Sequence, residues 1–231
     1  MIHSVRRINR LAAALNAHRY IEIGVHEGDT FLNVQIPHRT AVDPQMGPGV
    51  GNAQSDSVRC SHQTSDMFFS QDTLSEPYDI AFIDGLHVFE QVVRDFSNVI
   101  LRTHGRSPIL IDDTVPNDVF SSLPNEAAAT TFRQMAGLSG GAWHGDVFKT
   151  IYYIHDFWQS LDYRTIIGSG NPQTLVWRSN KAPRAPRFGS LETISRMTYF
   201  EMHLHSDVLK PASEDEAISA CLDEIGAGAA L

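Results

Sequence analysis

Two apolar runs that end in aspartate constrain this chain most: Ile80-Ala-Phe-Ile83-Asp84-Gly-Leu-His87 and Ile109-Leu-Ile111-Asp112-Asp113. A short apolar run closed by turn residues predicts a strand buried on both faces of a parallel sheet. Open α/β sheets take their ligands just beyond the carboxyl ends of such strands. Both segments therefore deliver carboxylates to the edge where binding and chemistry are expected, with His87 one turn past Asp84. Asp84, Asp112 and Asp113 are hard oxygen donors of the kind Mg²⁺ prefers, and His87 beside them is a candidate general base.

The rest of the chain supplies the alternation that such a sheet needs. Helical spacing is found from Val5 to Leu15, and strands are predicted at Tyr20–Val25, Arg39–Val42 and Cys60–Gln63. A helix is predicted to start around Thr64-Ser65-Asp66, and others over Val88–Leu101, Glu126–Met135 and Asp146–Asp156. Gln45–Ser57, with Gly47, Gly49 and Gly51, reads as a mobile loop. Arg164–Ile167 and Thr174–Trp177 read as a late hairpin around Gly168–Pro172. The fold expected is α/β: a doubly wound, mostly parallel seven-stranded sheet with an antiparallel hairpin at one edge.

The basic stretch Lys181–Arg187, with two prolines, reads as a stiff linker, followed by helical periodicity over Leu191–Leu204 and Ala217–Ile225. This divides the chain into a main domain, 1–180, and an acidic helical extension, 181–231. From Ser190 onward eight acidic residues face only Arg196 and Lys210, so residues 190–231 carry −6 of the net −9. Residues 1–189 are nearly neutral, at −3, which argues against a nucleic-acid surface and for a small-molecule partner. Apolar positions 217, 218, 221, 222 and 225 suit closure over the site or a homo-oligomer joined through the C-terminal helices.

No apolar run approaches the ~18 residues of a membrane span. Met1–Arg7 lacks the apolar core of a secretory signal. Cys60 and Cys221 are far apart and without metal-site spacing, so a cytoplasmic protein is expected.

The first strand runs into Glu22-Ile-Gly24-Val-His-Glu-Gly28. Glycines here let the backbone approach a ligand closely, but the spacing is not the G-x-G-x-x-G of a pyrophosphate turn. A carboxylate before the first glycine suits a ligand that is cationic and rich in hydroxyls. Asp43, ending the second strand, is placed to accept hydrogen bonds from a ribose.

Glu22-x-Gly24-x-x-x-Gly28 with the acidic second-strand end resembles the class I S-adenosylmethionine-dependent methyltransferases. The likeness continues through Thr64–Phe69, Phe82–Glu90 and Trp143–Lys149, in the manner of metal-dependent macrolide and aminocoumarin sugar O-methyltransferases. The resemblance implies S-adenosylmethionine held by Glu22, Gly24, Gly28 and Asp43, with Ser65 or Asp66 at the adenine and Asp84 nearby. It implies Mg²⁺ on Asp84, Asp112 and Asp113, and catalysis by His87 with Asp84. Many relatives carry His-Asp where this chain has Asp112-Asp113.

The expected activity is Mg²⁺-assisted O-methylation of a small hydroxylated metabolite or sugar. The alternatives are a metal-independent N- or O-methyltransferase and a non-catalytic S-adenosylmethionine-binding module. An NAD-dependent oxidoreductase is disfavoured by the missing phosphate turn. Gly145-Asp146-Val-Phe-Lys149 has no assigned chemistry; a helix cap at Asp146 and a carboxylate partner for Lys149 are the structural readings.

Overall fold

The computed structural model describes residues 2–71 and 76–227, so the last residues of the expected 181–231 extension lie outside the described residues. The chain begins with α1 (His3–Leu15), whose stripe of Val5, Ile8, Leu11 and Ala12 is buried. Asn16 ends it in the left-handed region at φ 51°, returning its N–H to the Ala12 carbonyl, a standard helix stop. The order then runs β1 (Arg19–Ile23), β2 (His38–Val42), α2 (Pro48–Gly51), β3 (Val58–Ser61), α3 (Ser65–Gln71), β4 (Ile80–Ile83), α4 (Phe89–Ile100) and β5 (Ile109–Ile111). After β5 come α5 (Glu126–Met135), α6 (Lys149–Phe157), β6 (Leu161–Ile166), β7 (Gln173–Arg178), α7 (Leu191–Ser195), α8 (Tyr199–Leu204), β8 (Pro211–Ala212) and α9 (Glu214–Ala227).

The strands form one eight-stranded sheet in the order β3-β2-β1-β4-β5-β7-β6-β8. Strands β1 to β5 pair in parallel; β7 is antiparallel to both β5 and β6, and β8 pairs in parallel with β6. Every residue of β4 and β5 is buried, which is why both read as uninterrupted apolar runs.

Helices cover both faces. On one, Phe96 and Val92 of α4 and Ile151 and Ile154 of α6 pack with Ile83 and Ile111. On the other, Ile8 and Leu11 of α1 and Ile218, Cys221 and Ile225 of α9 pack with Phe82, Leu175 and Trp177. Each fully buried Ile or Phe side chain contributes roughly 1.5–3 kcal/mol by removing apolar area from water.

Four expectations are corrected. The sheet has eight strands, because Pro211–Ala212 adds an edge beyond the hairpin, and the hairpin's β7 lies inside the sheet against β5. The single helix expected over Leu191–Leu204 is two, because Thr198 and Glu201 form a capping box that starts α8 afresh. The helix expected from Asp146 begins at Lys149, after Gly145 turns at φ 60°. The Gln45–Ser57 loop carries one helical turn, α2, with Pro48 at its start.

The apolar face of α9 is spent on the chain's own sheet. Ala217, Ile218, Cys221 and Ile225 are all under 5% exposed. Glu214, at the head of α9, receives ion pairs from Arg6, Arg7 and Arg10 of α1, so the acidic extension is fastened by charge as well. Among the described residues no helix is long and apolar enough to cross a membrane.

Candidate active site at the carboxyl edge of the sheet

Register decides where the site forms. Ile23 pairs with Val42 and Ile83, and Ile83 with Ile111, so the central strands end level. The ladder runs one residue further: Gly24 N–H donates to Val42 O, Asp43 N–H to Ser61 O, Asp84 N–H to Ile23 O and Asp112 N–H to Ile83 O. Gly24, Asp43, Asp84 and Asp112 thus form one row along the carboxyl edge.

A cavity of about 650 Å³ opens over this row. Its lining includes Glu22, Gly24, Asp43, Ser65, Asp84 and Gly85, with Gln91 and Asp95 of α4. Gly24 has φ +82°, and a Cβ there would stand 2.0 Å from the Asp84 carbonyl oxygen, so only glycine lets the first turn pass this close to β4. Six carboxylates line the cavity (Glu22, Glu27, Asp29, Asp43, Asp84, Asp95), and no lysine or arginine does among the described residues. That lining repels a pyrophosphate and suits a cationic ligand.

The individual carboxylates are set differently. Glu22 is 2% exposed; burial pushes its pKa well up, although the Tyr20 hydroxyl donates to its Oε2 at 2.6 Å. Asp43 Oδ2 accepts the Val25 and His26 N–H groups at 2.8 Å each, and Oδ1 accepts the Gln45 N–H. Asp43 therefore shapes the glycine turn while lining the cavity. Gly28, at φ +86°, abuts Val50 and Leu32 instead.

Ser65 is buried and lines the cavity, whereas Asp66 is exposed and ion-paired with Arg94. Thr64 Oγ1 accepts the Met67 N–H at the head of α3, so the cap falls to neither Ser65 nor Asp66.

The expected acidic cluster lies at the cavity's β4–β5 end. Asp84, His87 and Asp113 offer ligand atoms within 4.8 Å of one another, and Asp112 is outside that group. His87 Nδ1 stands 3.0 Å from Asp113 Oδ2 and 3.1 Å from the Trp143 carbonyl oxygen, while Nε2 is 3.5 Å from Asp84 Oδ1. Two acceptors at Nδ1 assign the proton there and turn Nε2 toward Asp84. Burial pulls the imidazole's pKa down, but Asp113 and Asp84 outweigh it and lift it to about 10. Burial, with the nearby Asp84 and Asp113 charges, pushes Asp112 up to about 8.

Asp113 has φ +57°, an uncommon conformation that aspartate tolerates better than most residues. It is held by its own N–H on Asp112 Oδ1 at 2.8 Å and by Asn171. Asn171 Nδ2 spends its two hydrogens on Asp112 Oδ1 and Asp113 Oδ1, both at 2.6 Å. Arg7, fully buried, donates to the Asn171 carbonyl and so steadies the β6–β7 turn from α1.

The Gly145–Lys149 segment also has its explanation. Asp146 Oδ1 accepts the Phe89 N–H at 2.7 Å, capping α4 rather than its own helix, and Lys149 Nζ pairs with Asp146 Oδ2 at 2.8 Å. A Cβ on Gly145 would stand 1.6 Å from the His87 carbonyl oxygen, so this turn is pressed against the backbone that carries the histidine. Asn171, Gln91 and Asp95 are not indicated as site residues by sequence. The Gln91–Asp95 spacing on a helix beside the Asp84 turn was the one available signal.

Residues 11–114 match a family described as "Methyltransferase domain". No curated protein sequence matches the chain. Among solved structures, a provisionally assigned caffeoyl-CoA O-methyltransferase from Staphylococcus aureus superposes with a TM-score of 0.55 at 13% identity, covering 77% of this chain and 84% of that one. The O-methyltransferase TomG from Streptomyces achromogenes, in complex with SAM, gives 0.47 at 14% identity over 74% and 77% of the two chains. An O-methyltransferase from Bacillus cereus in complex with SAH gives 0.47 at 14% identity over 77% and 83%. Over residues 11–114 the chain thus matches a methyltransferase domain, and that stretch lies on a Rossmann-like sheet of this order.

Proposed function

We propose that the protein methylates a hydroxyl of a small metabolite or sugar, assisted by Mg²⁺. The observation carrying this reading is the adjacency of two features: an acid-lined cavity with no cationic lining among the described residues, and the Asp84–His87–Asp113 cluster at its end. The first suits a sulfonium nucleoside held by Glu22, Gly24, Asp43 and Ser65, with Gly28 shaping the turn from outside the cavity. The second fits a hard cation through Asp84 and Asp113, with Asp112, tied to Asp113 through Asn171, as a third carboxylate beside them. The Staphylococcus aureus neighbour is an O-methyltransferase by name, which supports O- over N-transfer.

The chain's own residues would act as follows. Glu22, Asp43 and the Gly24 turn hold the methyl donor so that its methyl points toward Asp84, since positioning is most of what an already activated methyl requires. Trp143, tilted over the His87 ring at 5.2 Å, and Leu86, 57% exposed, form the apolar approach for the acceptor. Asp84 and Asp113 would hold a divalent cation, which would supply Lewis acidity for the acceptor hydroxyl and offset the negative charge around His87. His87 Nε2 then takes the acceptor's proton, while Asp113 and the Trp143 carbonyl fix the ring through Nδ1.

Residues 1–180 are proposed as the methyltransferase unit, with 181–231 as an extension that completes it. Support comes from β8 pairing with β6 and from α9 packing on α1 and β7. Any self-association through the C-terminal helices is proposed to use α8, where Phe200 and Leu204 are 65% and 77% exposed. The free thiols of Cys60 and Cys221 favour a cytoplasmic setting.

The test is turnover of methyl-labelled S-adenosylmethionine against a panel of vicinal diols and glycosides, in Mg²⁺ and in chelator. Label transfer to oxygen in Mg²⁺, lost in chelator, is the expected result. Transfer undiminished in chelator would refute the metal assignment and favour the metal-independent reading.

A further inference from the structure

The α4 wall of the cavity holds one group that neither the row of strand ends nor the His87 cluster uses. Asp95 is 1% exposed and lines the cavity, and its Oδ2 has no hydrogen-bond partner among the described residues. A buried carboxylate oxygen without a donor is costly, by roughly 1–3 kcal/mol, so this oxygen is built to meet one. Its other oxygen accepts Gln91 Nε2 at 3.0 Å, and the same amide reaches Ser65 Oγ at 3.1 Å. Ser65, Gln91 and Asp95 thus form one connected polar edge where α3 meets α4. Gly85, which also lines the cavity, lies close by: a Cβ built there would be 3.5 Å from Asp95 Oδ2.

The chemistry of that edge differs from the rest of the cavity. The cationic end of a sulfonium nucleoside belongs by Glu22 and Asp84, next to the cluster where the methyl must be delivered. A hydroxyl, a carboxamide and a carboxylate side by side are instead the groups that read the edge of a nucleobase. A carboxylate accepts from an exocyclic amine, and a glutamine amide is suited to adenine. Ile23, Val42, Pro44 and Leu86 supply apolar surface for the ring faces.

Resting on the cofactor reading above, we infer that Asp95 accepts a hydrogen bond from the exocyclic amine of the cofactor's adenine and makes the cavity selective for adenine over a 6-oxo purine. A 6-oxo purine would set its carbonyl oxygen against the carboxylate and leave both acceptors unpaired. Asp95 is a specificity-determining residue in this account and takes no part in the transfer step.

The test is calorimetric titration of the full chain with S-adenosylhomocysteine and with S-inosylhomocysteine, which carries a 6-oxo group in place of the amine. The wild type is expected to bind the adenosyl compound about 10–100-fold more tightly, the range for one hydrogen bond to a charged group. Asp95→Asn, whose amide can donate, should narrow that ratio to roughly 3-fold or less. Equal affinity of the wild type for the two compounds overturns the assignment without any variant. Full discrimination retained by Asp95→Asn overturns it as well. Failure of the wild type to bind S-adenosylhomocysteine at all would overturn the cofactor reading itself, and this assignment with it.

Discussion

His87 and Asp113 meet at 3.0 Å through Nδ1 and Oδ2, which orients the imidazole with its other nitrogen toward Asp84. A carboxylate that fixes the proton of one ring nitrogen leaves the other to work as a base, and that division of labour is common to many histidine bases.

His87→Ala should therefore lower kcat by roughly 10²–10⁴-fold, the span of general acid–base catalysis. Affinity for S-adenosylmethionine should stay within about threefold, because the ring lies outside the donor's cavity lining. Steady-state turnover with calorimetric Kd on the same protein checks the split; parallel loss of both would mean that the histidine supports the pocket.

Asn171→Ala removes both side-chain donors that hold Asp112 and Asp113 together. Cation affinity, followed with Mn²⁺ by electron paramagnetic resonance, should fall about 10–100-fold, as when groups behind metal ligands are lost. Unchanged Mn²⁺ affinity would mean that the aspartate pair does not bind the cation.

Gly145→Ala places a Cβ within the His87 carbonyl's contact distance at a positive φ. Strain of about 1–3 kcal/mol is the minimum expected, a fall in Tm of at least roughly 2–4 °C for a chain of this size. Differential scanning calorimetry reads it, and a wild-type Tm would show that the turn relaxes freely.

Glu214 contributes to the acid-side pH dependence of stability. Hydrogen bonding from Arg6 first, then from Arg10 and Arg7, holds its carboxyl at about 2 against the opposing effect of burial. Because the folded value is depressed, its contribution is present above the unfolded carboxylate pKa near 4.3 and is lost as pH falls from there toward 2. Glu214→Gln should lower Tm at pH 7 and flatten its decline over that acid range. A variant whose acid profile parallels the wild type would show that this ion-pair cluster does not stabilise the α1–α9 contact.

Much of this site is legible in the sequence because its groups sit at the ends of strands. Asp84 and Asp112 follow runs of residues buried on both faces, so strand end and carboxylate are announced together. The Glu22–Gly28 turn is equally visible, since Gly24 stands where a Cβ has no room. Asn171 was invisible for the opposite reason. It sits in a glycine-rich turn that reads only as a hairpin, and its role depends on β7 inserting beside β5, a pairing between segments about 60 residues apart. Asp146 misled by proximity: it precedes a helix in sequence, yet caps α4, 57 residues away. The apolar spacing on α9 fitted an oligomer face as well as a core face, and only the sheet beneath it separates the two.

In the proposed function the acid-lined cavity binds S-adenosylmethionine beside a cation-binding cluster. Calorimetric titration of S-adenosylmethionine into the purified protein, with and without Mg²⁺ and with NADH as the control ligand, tests it most directly. Micromolar binding of S-adenosylmethionine, with a separate Mg²⁺ heat abolished by Asp84→Asn, is the predicted result. Binding of NADH instead, or of neither ligand, would contradict it.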